Sequence, residues 1–540
     1  MGGVAMTTKT VEALVVGAGI AGLYQLYKLR EAGMQVHCVD AGSDIGGTWH
    51  WNCYPGARLD SPSYTYQYWF SDELLDQWRW SERFPTQPEI KRYLKFTADK
   101  FALHDQIQLN TRIVGADWDD SAGHWVVRSE AGEVWHAQYL VSCVGMLSAP
   151  KLPPFPGHEK FKGTIAHTAR WPQGGVDLKG KKVGVVGTGA TGIQVIQTIA
   201  AEVGELNVFQ RTAQYAVKMD NYSLEGERGD YWRSQHENLK NNLPNTFGGF
   251  EWTLPEMDWA RSLSVEERHE LLESCWADGS LKMWVGTYPE VLTDAALNQE
   301  VSEFAREKIR ARINNPALEE KLVPTSYGFG TYRVPLENGY YEVFSRDNVN
   351  LVDVAETPIE AFSENGLIVG GKEYELDVLV LATGFDAGTG SLTQMNIRGR
   401  DGVSLTELWS KDITSTMGLQ VHGFPNLFTI AGPLAPATAF CNMPTCLQQQ
   451  VDWVSDAIFH LRDNGFKSIE PSQAKQDEWV SHHDEVANMT LLVHTNAWYN
   501  GANIEGKPRR LLSYIGGVGT YRDLCAQVAE SGYQGFIKAA

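Results

Sequence analysis

Long apolar runs, clustered metal ligands and an excess of basic residues are all missing from this sequence. No apolar run approaches the roughly 18 residues of a membrane-spanning helix, so no membrane span is predicted. The 66 acidic residues outnumber the 46 lysines and arginines, and the net charge of −20 repels nucleic acid and anionic membranes. The N-terminal segment MGGVAMTTKT lacks the basic and then apolar pattern of a signal peptide, so we expect a cytoplasmic protein.

Cysteine is sparse, with seven residues in 540, and no cysteine–histidine cluster has metal-ligand spacing, so no metal site is predicted. Cys441 and Cys446 form a C-x4-C pair, the spacing of the redox disulfide in flavin disulfide reductases. In those enzymes the pair lies early in the flavin domain, whereas here it lies near residue 440. We therefore favour two reduced thiols over a redox disulfide.

One motif occurs twice. VEALVVGAGIAGLYQLYKL and KKVGVVGTGATGIQVIQTIA each run from an apolar strand through a glycine turn into a helix. Such glycines allow a tight turn and let backbone N–H groups approach a pyrophosphate at the helix N-terminus. The two predicted dinucleotide sites lie at Gly17, Gly19 and Gly22 and at Gly187, Gly189 and Gly192.

The residue that ends the second strand of each unit predicts which nucleotide binds there. Asp40 lies 23 residues after Gly17, where a carboxylate accepts hydrogen bonds from both ribose hydroxyls and disfavours a 2′-phosphate. The same spacing in the second unit gives Gln210, followed by Arg211 and Thr212, so a 2′-phosphate meets a cation there. We expect FAD in the first site and NADPH in the second; the alternative for Arg211 is a solvated surface charge.

Both units continue into an alternating segment that predicts a β-meander and ends at a glycine, Gly145 or Gly384. The second unit is longer, and a helical pattern (VSEFAREKIRARI) accounts for the surplus. We predict an α/β protein with two dinucleotide-binding, Rossmann-like domains, the NADP domain nested in the FAD domain. The predicted ranges are 1–150 and 391–540 for the FAD domain, 151–220 and 331–390 for the NADP domain, and 221–330 for a helical insertion.

Three further motifs lie near the glycine turns. They are FKGTIAHTARWP (161–172), GTWHWNCYPGARLD (47–60) and DVLVLATGFDA (377–387). Together they resemble the signatures of Baeyer–Villiger monooxygenases, and the resemblance extends from about residue 10 to 535. The fingerprint positions of the first motif are Phe161, Gly163, His167, Trp171 and Pro172. Its Trp-Pro ending is absent from the related N-oxygenating flavin monooxygenases.

The resemblance implies an activity and the residues that carry it. NADPH reduces FAD, O2 adds to the flavin, and a C4a-peroxyflavin converts a ketone to an ester or lactone. Arg333 is the implied catalytic arginine, which holds an oxyanion without losing its charge, and Asp60 is the carboxylate that orients it. Gly47 and Trp49 fall at implied cofactor-binding positions, and Trp498 matches a loop tryptophan that closes over NADP.

His167 and Trp171 are interpreted as a lock in the hinge region between the two domains, the alternative being a packed aromatic pair with no mechanical role. Two positions depart from the family pattern. Cys53 stands where many relatives have arginine. Tyr332 stands where relatives often have a lysine that helps Arg211 to bind the 2′-phosphate, so we expect only a modest preference for NADPH.

The predicted substrate is a small aliphatic methyl ketone, because the segments GFGTYRVPLE and KPRRLLSYIGGVG resemble that branch of the family. Cycloalkanone oxidation is the second interpretation. An enzyme that oxygenates nitrogen or sulfur and a flavoprotein without catalytic activity are further alternatives. NADPH consumption on addition of a ketone, with ester formation, separates these possibilities.

Overall fold

The computed structural model describes residues 8–313, 315–437 and 440–540. The N-terminal segment is expected to lack a signal peptide. Residues 1–7 of that segment lie outside the described ranges. Within the described ranges, no helix combines the length and apolarity needed to cross a membrane. The same residues contain no group of three or more histidine, cysteine, aspartate or glutamate side chains arranged to hold a metal.

The first unit is built on a mixed sheet whose first strand leads into the first glycine turn. Its elements are β1 (Thr8–Val16), α1 (Ile20–Glu31), β2 (Val36–Val39), α2 (Thr48–Trp51), α3 (Asp72–Gln77), α4 (Gln87–Lys100), β3 (Ile107–Gln108), β4 (Ile113–Asp119), β5 (His124–Ser129) and β6 (Val134–Ser142). β1 pairs in parallel with β2 and β6. β4, β5 and β6 are antiparallel neighbours, which confirms the first predicted meander.

The second unit begins after a connection and then opens into a helical region. Its elements up to residue 337 are β7 (Thr164–His167), β8 (Lys182–Val186), α5 (Ala190–Ile199), β9 (Glu205–Gln210), β10 (Val217–Lys218), α6 (Glu227–Ser234), α7 (His236–Asn242), α8 (Trp259–Ser262), α9 (Val265–Asp278), α10 (Lys282–Val285), α11 (Glu290–Thr293), α12 (Ala295–Arg310), α13 (Pro316–Leu322) and β11 (Leu336–Glu337). The amphipathic pattern that predicted a helix lies mostly in α12, which begins at a capping Asp294.

The second parallel sheet closes when the chain returns from this region. The returning strands are β12 (Val349–Asp353), β13 (Ile359–Phe362), β14 (Gly366–Val369), β15 (Lys372–Glu375) and β16 (Val378–Leu381). The sheet order β12-β9-β8-β16-β7 is parallel throughout. β13, β14 and β15 form a separate antiparallel sheet, whereas the first meander is continuous with its parallel sheet.

The chain after residue 390 rejoins the first sheet. Its elements are α14 (Gly390–Thr393), β17 (Ile397–Arg398), α15 (Leu405–Lys411), β18 (Leu427–Thr429), α16 (Met443–Asp463), β19 (Ser468–Pro471), α17 (Gln473–Asn488), α18 (Val518–Glu530) and β20 (Phe536–Ala539). β17 pairs with β4, and β18 pairs with β6. α16 packs on α1, where Gln25 Nε2 donates to Ser455 Oγ at 2.9 Å. The predicted fold class, α/β with two dinucleotide-binding, Rossmann-like units, is confirmed; the domain boundaries stay a prediction.

Short 3-10 helices lie between these elements. They span His104–Gln106, His158–Lys160, Thr168–Arg170, Leu243–Asn245, Glu342–Ser345, Arg400–Gly402, Leu491–His494 and Trp498–Asn500. Two of them contain parts of the predicted site: Thr168–Arg170 follows the histidine of the fingerprint, and Trp498–Asn500 begins with the loop tryptophan.

Candidate active site at the junction of the two units

A cavity of about 520 Å³ lies where both units, the helical region and the C-terminal part meet. The first glycine turn and the motif at 47–60 form one wall of it, and the start of α5 forms another. Its lining also includes Phe250, Leu281, Trp284, Arg333, Phe440 and Cys441. The cavity therefore joins the predicted flavin site to the predicted catalytic arginine.

The first glycine turn leaves the N-terminus of α1 open. Gly17 has a φ of +108°, and a Cβ there would lie 2.5 Å from the carbonyl oxygen of Cys143. A Cβ on Gly22 would lie 1.7 Å from the carbonyl oxygen of Gly17. The N-cap residue of α1 is Gly19, which provides no side-chain cap, so the first N–H groups of the helix are available to a bound anion. This arrangement fits a pyrophosphate.

Asp40 lies at the end of β2 and lines the cavity. Its carboxylate accepts hydrogen bonds from the backbone N–H groups of Ala18 and Gly42, both at 2.6 Å. Each oxygen of an ionised carboxylate has a second lone-pair direction, so Asp40 still has capacity to accept from ribose hydroxyls. These backbone bonds fix the carboxylate before a ligand binds.

Gly47 and Trp49 lie opposite the first turn. Gly47 has a φ of +54°, and a Cβ there would lie 3.0 Å from Cα of Gly19, so the two backbones are in close contact. Trp49 Nε1 donates to the hydroxyl of Tyr66 at 3.1 Å. Both predicted cofactor-binding residues line the cavity.

The second glycine turn repeats the geometry of the first. Gly187 has a φ of +106°, and a Cβ there would lie 2.5 Å from the carbonyl oxygen of Ala382. A Cβ on Gly192 would lie 2.1 Å from the carbonyl oxygen of Gly187. α5 begins at Gly189, again without a side-chain cap. Each of the two glycine turns thus leads into an uncapped helix N-terminus that can face a dinucleotide.

Arg211 is exposed beyond the end of β9, and the carbonyl oxygen of its neighbour Thr212 accepts from Thr188 Oγ1 at 3.0 Å. Lys151 lies near Arg211: burial, and then the charge of Arg211, lower the pKa of Lys151. Sequence reasoning missed this second cation because Lys151 is 60 residues away in the chain. Tyr332, which replaces the expected lysine, packs its ring 4.4 Å from Tyr327.

Arg333 and Asp60 form an ion pair on the cavity wall. Arg333 Nη2 donates to Asp60 Oδ2, and the two side chains are 17% and 19% exposed. The backbone of Arg333 is also held, because Gln214 Nε2 donates to its carbonyl oxygen at 2.7 Å. A cation fixed beside a largely enclosed space can stabilise negative charge that develops on a bound substrate.

His167 joins β7 to the segments that connect the two units. Its Nδ1 accepts from the N–H of Ala169 at 3.0 Å, so in the neutral ring Nε2 carries the proton. Nε2 lies 3.1 Å from the carbonyl oxygen of Lys151 and 3.2 Å from Oγ1 of Thr383. Burial lowers the pKa of His167 and favours this neutral form.

The rest of the fingerprint contacts other neighbours. Trp171 is buried, and its carbonyl oxygen accepts a weak bond from Cys53 Sγ at 3.7 Å. The Pro172 carbonyl accepts from the N–H of Gly175 at 2.8 Å, which closes a turn. The fingerprint thus touches the interdomain connections through His167 and the 47–60 motif through Trp171.

Phe161 and Gly163 pack at the start of the fingerprint. The ring of Phe161 lies 6.3 Å from that of Phe362. A Cβ on Gly163 would lie 2.5 Å from both Phe161 Cζ and the carbonyl oxygen of Asp377, so only glycine fits here. Both positions therefore have packing roles.

Two further cavity residues escaped the sequence analysis. Arg170 Nη2 donates to the carbonyl oxygen of Ser148 at 2.7 Å, and burial lowers the pKa of Arg170 to about 10. The sequence did not single out Arg170, because the fingerprint leaves the residue type at this position unspecified. The hydroxyl of Tyr54 donates to Gln194 Oε1 at 2.8 Å and ties the 47–60 motif to α5.

Trp498 is half-buried, with its ring 5.3 Å from that of Tyr499. The hydroxyl of Tyr499 donates to the carbonyl oxygen of Thr331, two residues before Arg333. The segment with the loop tryptophan therefore lies against the segment that contains Arg333, the predicted catalytic arginine. Cys441 and Cys446 are both buried free thiols, as the sequence analysis favoured.

Known proteins resemble this chain over its whole length. The profile of the flavin-binding monooxygenase-like family matches residues 9–247. An acetone monooxygenase (methyl acetate-forming) of Gordonia sp. strain TY-5 is 51% identical over 98% of this chain and 99% of its own. A Baeyer–Villiger monooxygenase of Pseudooceanicola batsensis is 39% identical over 98% of this chain and 97% of its own. The crystal structure of OTEMO in complex with FAD and NADP superposes with a TM-score of 0.94 at 37% identity, covering 99% of this chain and 100% of that one.

Proposed function

The chain belongs to the Baeyer–Villiger monooxygenases, and we propose that within this family it oxidises small aliphatic methyl ketones to esters. It is an enzyme that converts ketones to esters or lactones at the expense of NADPH and O2, with FAD as its flavin. Both uncapped helix N-termini and their glycine turns fit these two dinucleotides.

The ion pair of Arg333 and Asp60 carries the mechanism we propose. When bound and reduced by NADPH, FAD would supply the chemistry that activates O2, from which one oxygen atom would enter the ketone. Arg333 then holds the negative charge that develops on the ketone oxygen and, because its guanidinium stays protonated, does not quench it. Asp60 orients the guanidinium and offsets the cost of enclosing a cation.

The remaining residues bind and position the cofactors. We assign the FAD pyrophosphate to the N-terminus of α1 and its ribose to Asp40, with Gly47 and Trp49 on the facing wall. Gly187, Gly189 and Gly192 form the second pyrophosphate site. Arg211, Thr212 and Lys151 are the proposed 2′-phosphate site, Trp498 is the proposed cover over NADP, and His167 with Trp171 is the proposed hinge contact.

Support for a small methyl ketone comes from the relative named acetone monooxygenase and from the cavity wall. Three bulky aromatic side chains, Phe250, Trp284 and Phe440, line the same cavity as Arg333. Seven free cysteines suit a reducing compartment, and we keep the cytoplasm as the proposed location.

A product screen tests this assignment. Purified enzyme is supplied with NADPH and either butanone or cyclohexanone, and ester or lactone is quantified by gas chromatography. We expect a higher kcat/KM for butanone. A higher value for cyclohexanone would replace the proposal with a cycloalkanone monooxygenase, and oxidation of amines or sulfides without ester would place the chain among the N- or S-oxygenating enzymes.

A further inference from the structure

The indole of Trp284 lines the cavity and lies beside Arg333 of the ion pair. The guanidinium carbon of Arg333 is 5.8 Å from the indole centroid, within the range of a cation–π contact. Trp284 is only 2% exposed, yet it lines the cavity. Arg333 is therefore held by a carboxylate, Asp60, and by an aromatic ring.

The position of this indole is fixed by its neighbours. Trp284 Nε1 donates to the carbonyl oxygen of Gly330 at 2.9 Å. Gly330 has a φ of +78°, and a Cβ there would lie 2.7 Å from Trp284 Cδ1, so residue 330 must be glycine for the indole to occupy this place. The ring of Phe440 packs at 5.4 Å on another side.

A second tryptophan supports the adjoining backbone. Trp252 stacks on Phe250 with ring centroids 4.7 Å apart and an interplanar angle of 7°. Its Nε1 donates to the carbonyl oxygen of Val285 at 3.1 Å. The backbone of the residue after Trp284 is thus fixed as well, and the indole of Trp284 cannot rotate away without breaking its own hydrogen bond to Gly330.

We propose that Trp284 is both the positioning residue for Arg333 and the residue that sets the size of the ketone. Its ring keeps the guanidinium beside the cavity, and its bulk excludes wide substrates. The inference rests on the proposed preference for small ketones. In an apolar pocket, each methylene that does not fit changes kcat/KM by about 10- to 200-fold, so one large side chain is enough to set the preference.

The test compares Trp284→Val and Trp284→Phe with the wild-type enzyme. Each FAD-loaded variant is assayed for kcat and KM with butanone and cyclohexanone, and cyclohexanone binding is measured by calorimetry. Trp276→Phe is the matched control, because Trp276 belongs to the same helical region and packs on Phe304, 6.0 Å away.

Trp284→Val should raise the ratio of kcat/KM for cyclohexanone to that for butanone by at least about tenfold and should tighten cyclohexanone binding. It should also lower kcat for butanone by about 2- to 30-fold, the contribution of a cation–π contact. Trp284→Phe should retain most of the wild-type kcat for butanone. It should raise the ratio of kcat/KM for cyclohexanone to that for butanone by a smaller factor than Trp284→Val does. The control, Trp276→Phe, should change neither the ratio nor kcat for butanone.

An unchanged ratio in a Trp284→Val enzyme that retains FAD would overturn the inference. If that variant loses FAD, Trp284→Phe decides: a ratio equal to that of the wild type overturns the inference, and a raised ratio supports it. Failure of the proposed function is a separate result, because it shows in the wild-type enzyme as a preference for cyclohexanone over butanone.

Discussion

Arg333 and Asp60 are 273 residues apart in the sequence and form an ion pair at the cavity wall. The aspartate ends the motif that faces the flavin site, and the arginine follows the helical region. Their contact joins the two parts of the chain at the place where the ketone is expected to react.

Asp60→Asn should slow the enzyme without abolishing it. The substitution keeps the shape of the side chain but removes the charge that orients Arg333, and misplacement of a catalytic group by about 1 Å costs about 10²-fold in rate. We expect kcat for ester formation to fall by up to that factor. Asp278→Asn is the control, because Asp278 pairs with buried Arg83 at 3.0 Å outside the cavity wall; an equal loss in both variants would contradict a specific role for Asp60.

Purified protein should be yellow, with one FAD bound non-covalently per chain, and Gly22→Ala should lose most of it. The added Cβ would lie 1.7 Å from a backbone carbonyl oxygen, so the turn must distort, at a cost of about 1–3 kcal/mol or more. Flavin absorbance after gel filtration measures the content. Gly174→Ala, with nothing within 4 Å of the new Cβ, should retain FAD.

Arg211→Ala should weaken NADP+ binding and leave NAD+ binding unchanged. A charge-assisted bond to a phosphate contributes about 1.5–3 kcal/mol, which corresponds to about 10- to 100-fold in Kd. Because Lys151 lies nearby, Lys151→Gln should also weaken NADP+ binding, by a smaller factor. Calorimetry with both nucleotides provides the measurement, and equal affinities for NADP+ and NAD+ in the wild type would mean that this site was misassigned.

The stability of the protein should depend on pH through His167. Burial lowers the pKa of this histidine in the folded state, so the unfolded chain binds the proton more readily. The contribution of neutral His167 is present above the ordinary pKa of 6.5 and is lost as the pH falls below it. The Tm should therefore fall less steeply between pH 7 and 5 in His167→Gln than in the wild type; parallel curves would argue against a buried neutral ring.

The sequence predicted features that neighbouring residues determine better than it predicted contacts between distant parts of the chain. The glycine turns, Asp40 and Arg211 follow from spacing within one strand–turn–helix unit, because neighbours in the chain fix their geometry. Lys151, Arg170 and Trp284 gain their roles from elements far away in the sequence, and no periodicity marks them. The pairing of Asp60 with Arg333 came only from resemblance, since nothing local connects two residues in different parts of the chain.

The second meander also shows that a local pattern does not specify contacts between distant segments. Its alternating pattern correctly indicates three antiparallel strands, but it does not say whether they extend the parallel sheet. In the first unit they do, and in the second they form a sheet of their own. Strand pairing between distant segments depends on which faces become buried, which an isolated alternating pattern does not specify.

The most direct test of the mechanism compares Arg333→Ala and Arg333→Lys with the wild-type enzyme. For each protein, the rate of ester formation and the yield of ester per NADPH consumed are measured. The glycine turns are untouched, so both variants should retain FAD. Loss of one preorganised partner for developing negative charge costs ~10²–10³ in rate, so Arg333→Ala should form ester at least that much more slowly and with less ester per NADPH consumed. Arg333→Lys, which keeps the charge without the planar fork, should recover part of the rate. An Arg333→Ala enzyme that forms ester at close to the wild-type rate would contradict the account.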